Sequence, residues 1–159
     1  MEQGADLGVT PVGLGARDTL RLEKGYLLSG QDFLWPGLGD DHLGPLPAEY
    51  LSRTSLEANI PFGLNLDHNF IGKDAMIGGK ATNSLWMGLV CMGKGPSPRT
   101  GHEVHSSPVE DSLVGFVTSG APSPSLGVGI GMAYMENVAE GDTVFIKTSP
   151  RRIIEAKVK

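Results

Sequence analysis

The chain has 159 residues, a net charge of −5, 23 glycines, 11 prolines and one cysteine, a composition that indicates one or two small domains rich in turns. An acidic chain without a concentrated basic face is not expected to bind nucleic acid, and no apolar run approaches the ~20 residues of a membrane-spanning helix. The lone Cys91 and an N-terminus without a secretory pattern predict a reducing, cytoplasmic location.

The first predicted element is a helix over residues 11–28, with Pro11 in its first turn and Gly25 as a glycine that can end it. Arg17 and Arg21 lie four residues apart, so they share one face of this helix. Like charges at that spacing are mildly destabilising unless an anion satisfies them. The sequence leaves two explanations open, a surface helix or an anion site filled by a ligand or by an acid within the protein.

The leucines of this helix predict which face it buries. Leu14, Leu20 and Leu27 fall one or two turns apart and are expected to form an apolar stripe. Leu22 lies outside that stripe and breaks the pattern.

Residues 33–54 differ in composition from the helix before them and predict a long loop with one helical turn at residues 47–51, "PAEYL". Prolines and glycines interrupt both the helical and the strand period, yet large apolar side chains recur through the segment. A loop this apolar is expected to be buried against something.

The second half of the chain predicts six short strands separated by turn residues. They are expected at residues 84–92, 101–106, 112–120, 128–135, 142–148 and 152–158. No crossover helices separate them, which favours an antiparallel barrel or sandwich over a parallel sheet.

The polar residues of these strands are interpreted as structural. His102 and Glu103 would point to opposite faces of a strand, with His105 on the side of Glu103, and no second cluster supplies further metal ligands. Cys91 lies in an apolar strand without an adjacent base. Ser119 has no acid or base placed beside it by the sequence.

Four stretches together resemble the glycine cleavage T-proteins, the tetrahydrofolate-dependent aminomethyltransferases. They are "GLGARDTLRLEKGYLLSGQD" (13–32), "TSLEANIPFGLNLDHNFIGKDAM" (54–76), "PRTGHEV" (98–104) and "LVGFVTSGAPSPSLGVGIGMAYM" (113–135). Their order and wording are specific, and the resemblance covers nearly the whole chain apart from the loop at 33–53. The chain resembles only the C-terminal portion of that family.

The resemblance implies a mainly β fold with an N-terminal helix (α+β). Residues 81–159 would form the family's C-terminal six-stranded antiparallel β-barrel. Residues 1–80 would be the tail of the folate-binding domain, containing the helix and the long loop.

The resemblance also implies a reaction. The family transfers the one-carbon unit of an aminomethyl group on the lipoylated H-protein to tetrahydrofolate as co-substrate, and it releases ammonia and 5,10-methylenetetrahydrofolate. The family's catalytic aspartate lies in an N-terminal region without a counterpart here, so the resemblance assigns no catalytic residue and no metal ligand to this chain and implies that it is inactive alone. It implies that Arg17 binds the substrate and that Phe62, where the family usually has tryptophan, stacks on the ligand rings.

Two alternatives remain open at this stage. The chain could be an accessory or interaction module of a split or truncated gene, docking onto an N-terminal half or forming a homodimer. It could also be the folate domain of a relative of the sarcosine and dimethylglycine dehydrogenases, which share the fold.

Overall fold

The structure is a computed structural model that describes residues 2–34, 44–60, 63–78, 83–109 and 112–159. A 3-10 helix over Glu2–Leu7 is followed by helices α1 (Leu14–Lys24), α2 (Ala48–Leu51) and α3 (Lys73–Ile77), and then by strands β1 (Ser84–Cys91), β2 (Glu103–His105), β3 (Leu113–Ser123), β4 (Val128–Glu136), β5 (Thr143–Ser149) and β6 (Arg152–Val158).

The six strands close into one antiparallel barrel in the order β1-β4-β3-β2-β5-β6, with β6 returning to β1. The predicted strands are confirmed to within a few residues, and of the two predicted architectures the barrel is correct. Closure removes the exposed strand edges that an open sheet of this length would leave.

The barrel interior is filled by alternate residues of its strands. This core contains Met87, Leu89, Val104, Val117, Ala133, Met135, Val144, Ile146, Ala156 and Val158. The neighbours that point outwards from β1 and β4, including Trp86, Met132 and Tyr134, are also buried, because they form a second apolar cluster outside the barrel. Strand β4 is therefore apolar on both faces.

Helix α1 is shorter than the predicted helix over residues 11–28. Its N-cap Gly13 has an extended backbone with ψ 158°, so Pro11 precedes the helix and does not lie in its first turn. Gly25 ends the helix in the left-handed conformation at φ 75°, and its N–H bonds back to the carbonyls of the last turn. The predicted glycine stop is confirmed, and residues 26–28 leave the helix for that reason.

The predicted leucine stripe is wrong. Leu14 and Leu20 are 81% and 63% exposed, whereas Leu22 is 4% exposed and packs with Trp86 against the outer face of β4. Only Leu27, beyond the helix end, is partly buried in the same cluster. The barrel face that receives α1 selects the side of the helix on which Leu22 lies.

The long loop packs partly against its own chain. The predicted helical turn is observed as α2, with Leu46 and Leu51 buried. The N–H of Leu34 donates to the carbonyl of Leu51 over 2.8 Å, which holds the two ends of the loop together. Residues 35–43, with the apolar side chains predicted for that stretch, lie outside the described residues.

Candidate functional site

A buried ion pair fastens α1 to the segment that follows it. The Arg21 guanidinium bonds the carboxylate of Asp32, which is fully buried. The same guanidinium donates to Asp18 over 2.7 Å and to the carbonyl of Tyr26 over 3.1 Å. Of the explanations predicted for the paired arginines, the anion site filled by an acid within the protein applies to Arg21, and that acid is Asp32.

The ion pair extends into the barrel through side chains of β3. Ser119 accepts a 2.7 Å hydrogen bond from Arg21 and donates its hydroxyl to Asp32. Thr118 donates over 2.5 Å to Asp32 Oδ1, the same oxygen that Ser119 bonds, and accepts the indole N–H of Trp86 over 3.2 Å. The Ser119 hydroxyl is fully committed to this network, which agrees with its structural interpretation.

A second polar contact holds the far end of α1. The Glu23 carboxylate accepts hydrogen bonds from the hydroxyl of Ser123, the last residue of β3, and from the hydroxyl and N–H of Ser125 in the turn that follows. These hydrogen bonds favour the ionised form and lower the pKa of Glu23 below its usual value. The helix is therefore fixed on the barrel at both its buried face and its last turn.

Arg17 lies on the exposed part of α1. Among the described residues its side chain has no hydrogen-bond or ion-pair partner. Arg17 is thus a fixed surface cation: the backbone that carries it is held by Arg21, while its own guanidinium is available.

Two adjoining cavities lie where the segment after α1 meets the segment after α2. The larger has a volume of about 620 Å³ and the smaller about 480 Å³. Both are lined by Leu27, Phe33, Ala58 and Ile60. Their walls are mostly apolar, with a few polar groups, and volumes of this size are typical of sites for small organic ligands.

Arg53 is the one cation that lines the larger cavity within the described residues. Its guanidinium carbon lies 4.5 Å from the centroid of the Tyr50 ring and 4.4 Å from that of Tyr134, and its Nη1 donates to Glu57 over 2.9 Å. Glu57 in turn accepts the N–H of Thr54 over 2.8 Å, while the Glu57 N–H donates to the Thr54 hydroxyl over 3.2 Å, which is a capping box. This cavity wall is therefore a rigid, internally paired structure.

Burial shapes the chemistry of Tyr134 beneath this wall. Its hydroxyl is fully buried and has no hydrogen-bond partner among the described residues. Burial disfavours the phenolate and raises the pKa of Tyr134 far above its usual value. Tyr134 is held as a neutral phenol.

Of the two predicted ligand-binding residues, the structure describes Arg17 but not Phe62. Arg17 is placed on an anchored helix, although it does not line either cavity. Phe62 lies outside the described residues, two positions after the cavity residue Ile60. Their roles toward a ligand remain predictions.

Cys91, Glu103 and His105 lie where the sequence placed them. Cys91 is buried, and burial raises the pKa of its thiol. His105 and Glu103 lie on one side of β2 with Nε2 and Oε2 3.2 Å apart, and Glu103 also contacts Lys147 at 3.2 Å. Throughout the described part of the chain no three metal-ligating side chains converge, and no helix is long and apolar enough to cross a membrane.

The sequence reasoning did not identify Asp32, Arg53 or Glu57. The Thr54–Glu57 spacing is a capping-box signal that could have indicated a helical turn at that point. Nothing local pointed to Asp32, because its partners on β3 lie 86 and 87 residues away in the chain.

The comparisons with known proteins agree with this architecture. The family model described as the glycine cleavage T-protein C-terminal barrel domain matches residues 86–159. A probable aminomethyltransferase of Pyrococcus furiosus is 41% identical over 138 residues, which cover 86% of this chain and 32% of that protein. An aminomethyltransferase of Halothermothrix orenii is 38% identical over 166 residues, covering 100% of this chain and 40% of that protein.

A solved structure covers almost the same extent. The glycine cleavage system aminomethyltransferase T from Bartonella henselae matches with a TM-score of 0.63 and 25% identity, over 98% of this chain and 40% of that one. The chain thus spans 32% to 40% of the length of these relatives. The chain belongs to the aminomethyltransferase family of glycine cleavage T-proteins, and its barrel is that family's C-terminal barrel domain.

Proposed function

We propose that this chain is the C-terminal portion of a tetrahydrofolate-dependent aminomethyltransferase, and that it supplies one wall of the folate site. In this proposal residues 1–80 are the tail of the folate-binding domain, and Arg17 and Phe62 bind the folate. Lipoylated H-protein is the partner that delivers the aminomethyl group. The cytoplasmic location predicted from the sequence belongs to the same proposal.

The observation that carries the proposal is the apolar cavity beside an anchored helix. A folate has a flat heteroaromatic ring system and an anionic tail. The cavity lined by Phe33 and Ile60 has the size and character to receive the rings. Arg17 offers a cation without an internal partner, which suits the tail or another polar group of the ligand.

The chemistry limits what this chain does alone. In the reaction, the carbon of the aminomethyl thioether is transferred to two nitrogens of tetrahydrofolate, the sulfur leaves as a thiol and the amine leaves as ammonia. That step needs an acid–base group and both substrates held in register. The described residues near the cavity offer Arg53 and Glu57, which are already paired with each other. We therefore expect binding without turnover until the remaining two thirds of the family's sequence is supplied.

Calorimetric titration with 5-formyltetrahydrofolate, a stable folate, tests this proposal. The wild-type chain should bind saturably, and Arg17→Ala should weaken binding by about tenfold, because a charged hydrogen-bond partner is lost. Lys24→Ala is the matched control, since it removes an exposed cation from the same helix. Equal losses in the two variants, or no heat at millimolar folate, would overturn the assignment of Arg17.

A second candidate function is a docking module, and the N-terminal segment favours it. Five large apolar side chains before residue 21 are 60% to 83% exposed: Leu7, Val9, Val12, Leu14 and Leu20. Apolar side chains concentrated in one short segment mark an interaction surface. The remaining two thirds of an aminomethyltransferase, or a second copy of this chain, would cover them.

Light scattering coupled to size exclusion separates these outcomes. A dimer that dissociates in Leu14→Glu supports self-association through this surface. A monomer that stays monomeric in both forms, and that gains no partner when the N-terminal two thirds of a relative is added, refutes the docking module.

A further inference from the structure

A basic pocket lies at one end of the barrel and shares no lining residue with the cavities described above. It has a volume of about 400 Å³ and is lined by Pro96, Ser97, Arg99, His102, Thr148, Ser149 and Arg152. The start of β2 pairs with the end of β5, Glu103 lying opposite Lys147, so the loop before β2 faces the β5–β6 hairpin across this pocket. The two walls thus come from segments about 50 residues apart.

The pocket concentrates positive charge in an acidic protein. Arg99, Arg152 and His102 line it, and within the described ranges no carboxylate does. Among the described residues neither arginine has a carboxylate within ion-pair distance, although the chain carries a net charge of −5. Two guanidinium groups that line one pocket from opposite walls repel each other, and an anion bound between them offsets that repulsion.

Two of the donors are held in place before any ligand arrives. Arg99 donates one Nη1 hydrogen bond to the carbonyl of Gly120 over 2.6 Å, which fixes the guanidinium while leaving most of its N–H groups unused. The Nδ1 of His102 accepts the N–H of Arg99 over 3.1 Å, so the neutral ring carries its proton on Nε2 and can donate there. Such fixed donors lose little conformational entropy when they bind.

Both walls add hydroxyl groups to the arginines. Thr148 donates to the carbonyl of Arg152 over 3.2 Å, which braces the hairpin that presents Arg152. Ser97 and Ser149 place two further hydroxyls on the lining. Arginine forks with hydroxyl donors are the combination that binds phosphate oxygens.

We propose that this pocket binds the phosphate group of a small molecule, with Arg99 and Arg152 clamping the anion and His102 donating from Nε2. Phosphate is favoured over a carboxylate because the donors come from two opposed walls, which matches three or four acceptor oxygens better than a planar pair. The volume accommodates the phosphate and a compact body attached to it. The proposal is independent of folate binding, since none of its residues lines the apolar cavities.

The test is a titration with inorganic phosphate at constant ionic strength, followed by NMR at the ring protons of His102. The His102→Gln variant assigns the resonance. Burial and the charge of Arg99 lower the pKa of His102 below its usual value, and a bound anion should raise it. We expect a saturable shift of the His102 signals at millimolar phosphate, together with a rise in its titration midpoint.

Two arginine variants give the matched comparison. Arg152→Ala should weaken phosphate binding about tenfold, because it removes one of the two clamping cations. Arg151 is the neighbouring residue, is exposed and does not line the pocket. Arg151→Ala therefore removes the same charge outside the pocket, and this variant should bind phosphate like the wild type. Equal weakening in both variants would show general attraction to positive charge and would overturn a built site.

The class of ligand is tested by replacing phosphate with acetate under the same conditions. A stronger response to phosphate supports the proposal. A response to acetate alone, or no saturable response of His102 to either anion, overturns it.

Discussion

The most direct test of the structural account is Asp32→Asn, which removes a buried charge while keeping the size of the side chain. Asp32 is fully buried and pairs with Arg21, which is 9% exposed. Removing one partner of a buried ion pair leaves the other charge uncompensated, and such changes cost about 3–5 kcal/mol. We expect the free energy of unfolding to fall by that amount.

The hydrogen bonds of the carboxylate give the same magnitude by a separate route. Oδ2 accepts from Arg21 and from the N–H of Leu28, and Oδ1 accepts from the hydroxyls of Thr118 and Ser119. An asparagine amide presents one oxygen and one NH2: with the NH2 in place of Oδ2, two N–H donors (Arg21 and Leu28) lose their acceptor, and with the NH2 in place of Oδ1 the two hydroxyls lose theirs and have to rotate to accept. Each unsatisfied buried donor costs about 1–3 kcal/mol, so the orientation that strands Arg21 and the Leu28 N–H costs about 2–6 kcal/mol, a range that contains the value for the broken ion pair.

The assay is urea unfolding followed by tryptophan fluorescence and circular dichroism, with Asp18→Asn as the control. Asp18 contacts the same guanidinium at 2.7 Å but is 29% exposed, so its loss should cost less than about 1 kcal/mol. Replacing both partners in Arg21→Met/Asp32→Asn should be less destabilising than Asp32→Asn alone, because no unpaired charge remains. An Asp32→Asn variant within about 1 kcal/mol of the wild type, or an Asp18→Asn variant that is equally destabilised, would refute a stabilising role of the buried ion pair.

Three further results are expected. A Cβ on Gly120 would lie 2.3 Å from the carbonyl oxygen of Pro98, so Gly120→Ala should lower the free energy of unfolding by about 1–3 kcal/mol. A Cβ on Gly93 meets open space, so Gly93→Ala should change it by less than about 0.5 kcal/mol in the same unfolding assay. The pKa of Glu23 is lowered in the folded chain, so Glu23 contributes its full stabilisation above its usual pKa and loses it as the pH falls through the lowered value. NMR of the α1 amides should therefore show the helix end becoming mobile in acid, and Glu23→Gln should show the same mobility at neutral pH. Cys91 is buried and its thiol pKa is raised, so a thiol reagent should react slowly with the native chain and rapidly in denaturant, and equal rates would contradict the buried position.

The barrel could be predicted because each strand carries its own signal. Alternating apolar residues such as Val144 and Ile146, bounded by turn residues, specify both the strand and the face it buries. Strand β4 is the exception, since both of its faces are covered, yet its turn boundaries still located it. Local patterns were sufficient wherever the barrel interior was the only place to bury a side chain.

The outer cluster could not be predicted in the same way, because it depends on which face of the barrel receives α1. Leu22 breaks the helical stripe in the sequence but meets Trp86 in the structure, 64 positions along the chain. The residues next to Asp32 in the sequence also give no sign of its role, because only the tertiary fold brings it to its partners on β3. The resemblance indicated that these stretches belong together, whereas their contacts required coordinates.

Arg17 and Arg21 lie four residues apart on α1 and have different roles. Arg21 faces the barrel and is neutralised by Asp32, so it contributes to the position of the helix. Arg17 lies exposed one turn earlier on that fixed helix, so it offers charge without being needed for the fold. If this division is correct, Arg17→Ala should leave urea unfolding unchanged while weakening folate binding, and Asp32→Asn should reduce both. A loss of stability in Arg17→Ala equal to that in Asp32→Asn would show that the two arginines act together in the fold, and the case for Arg17 as a ligand-binding residue would fail.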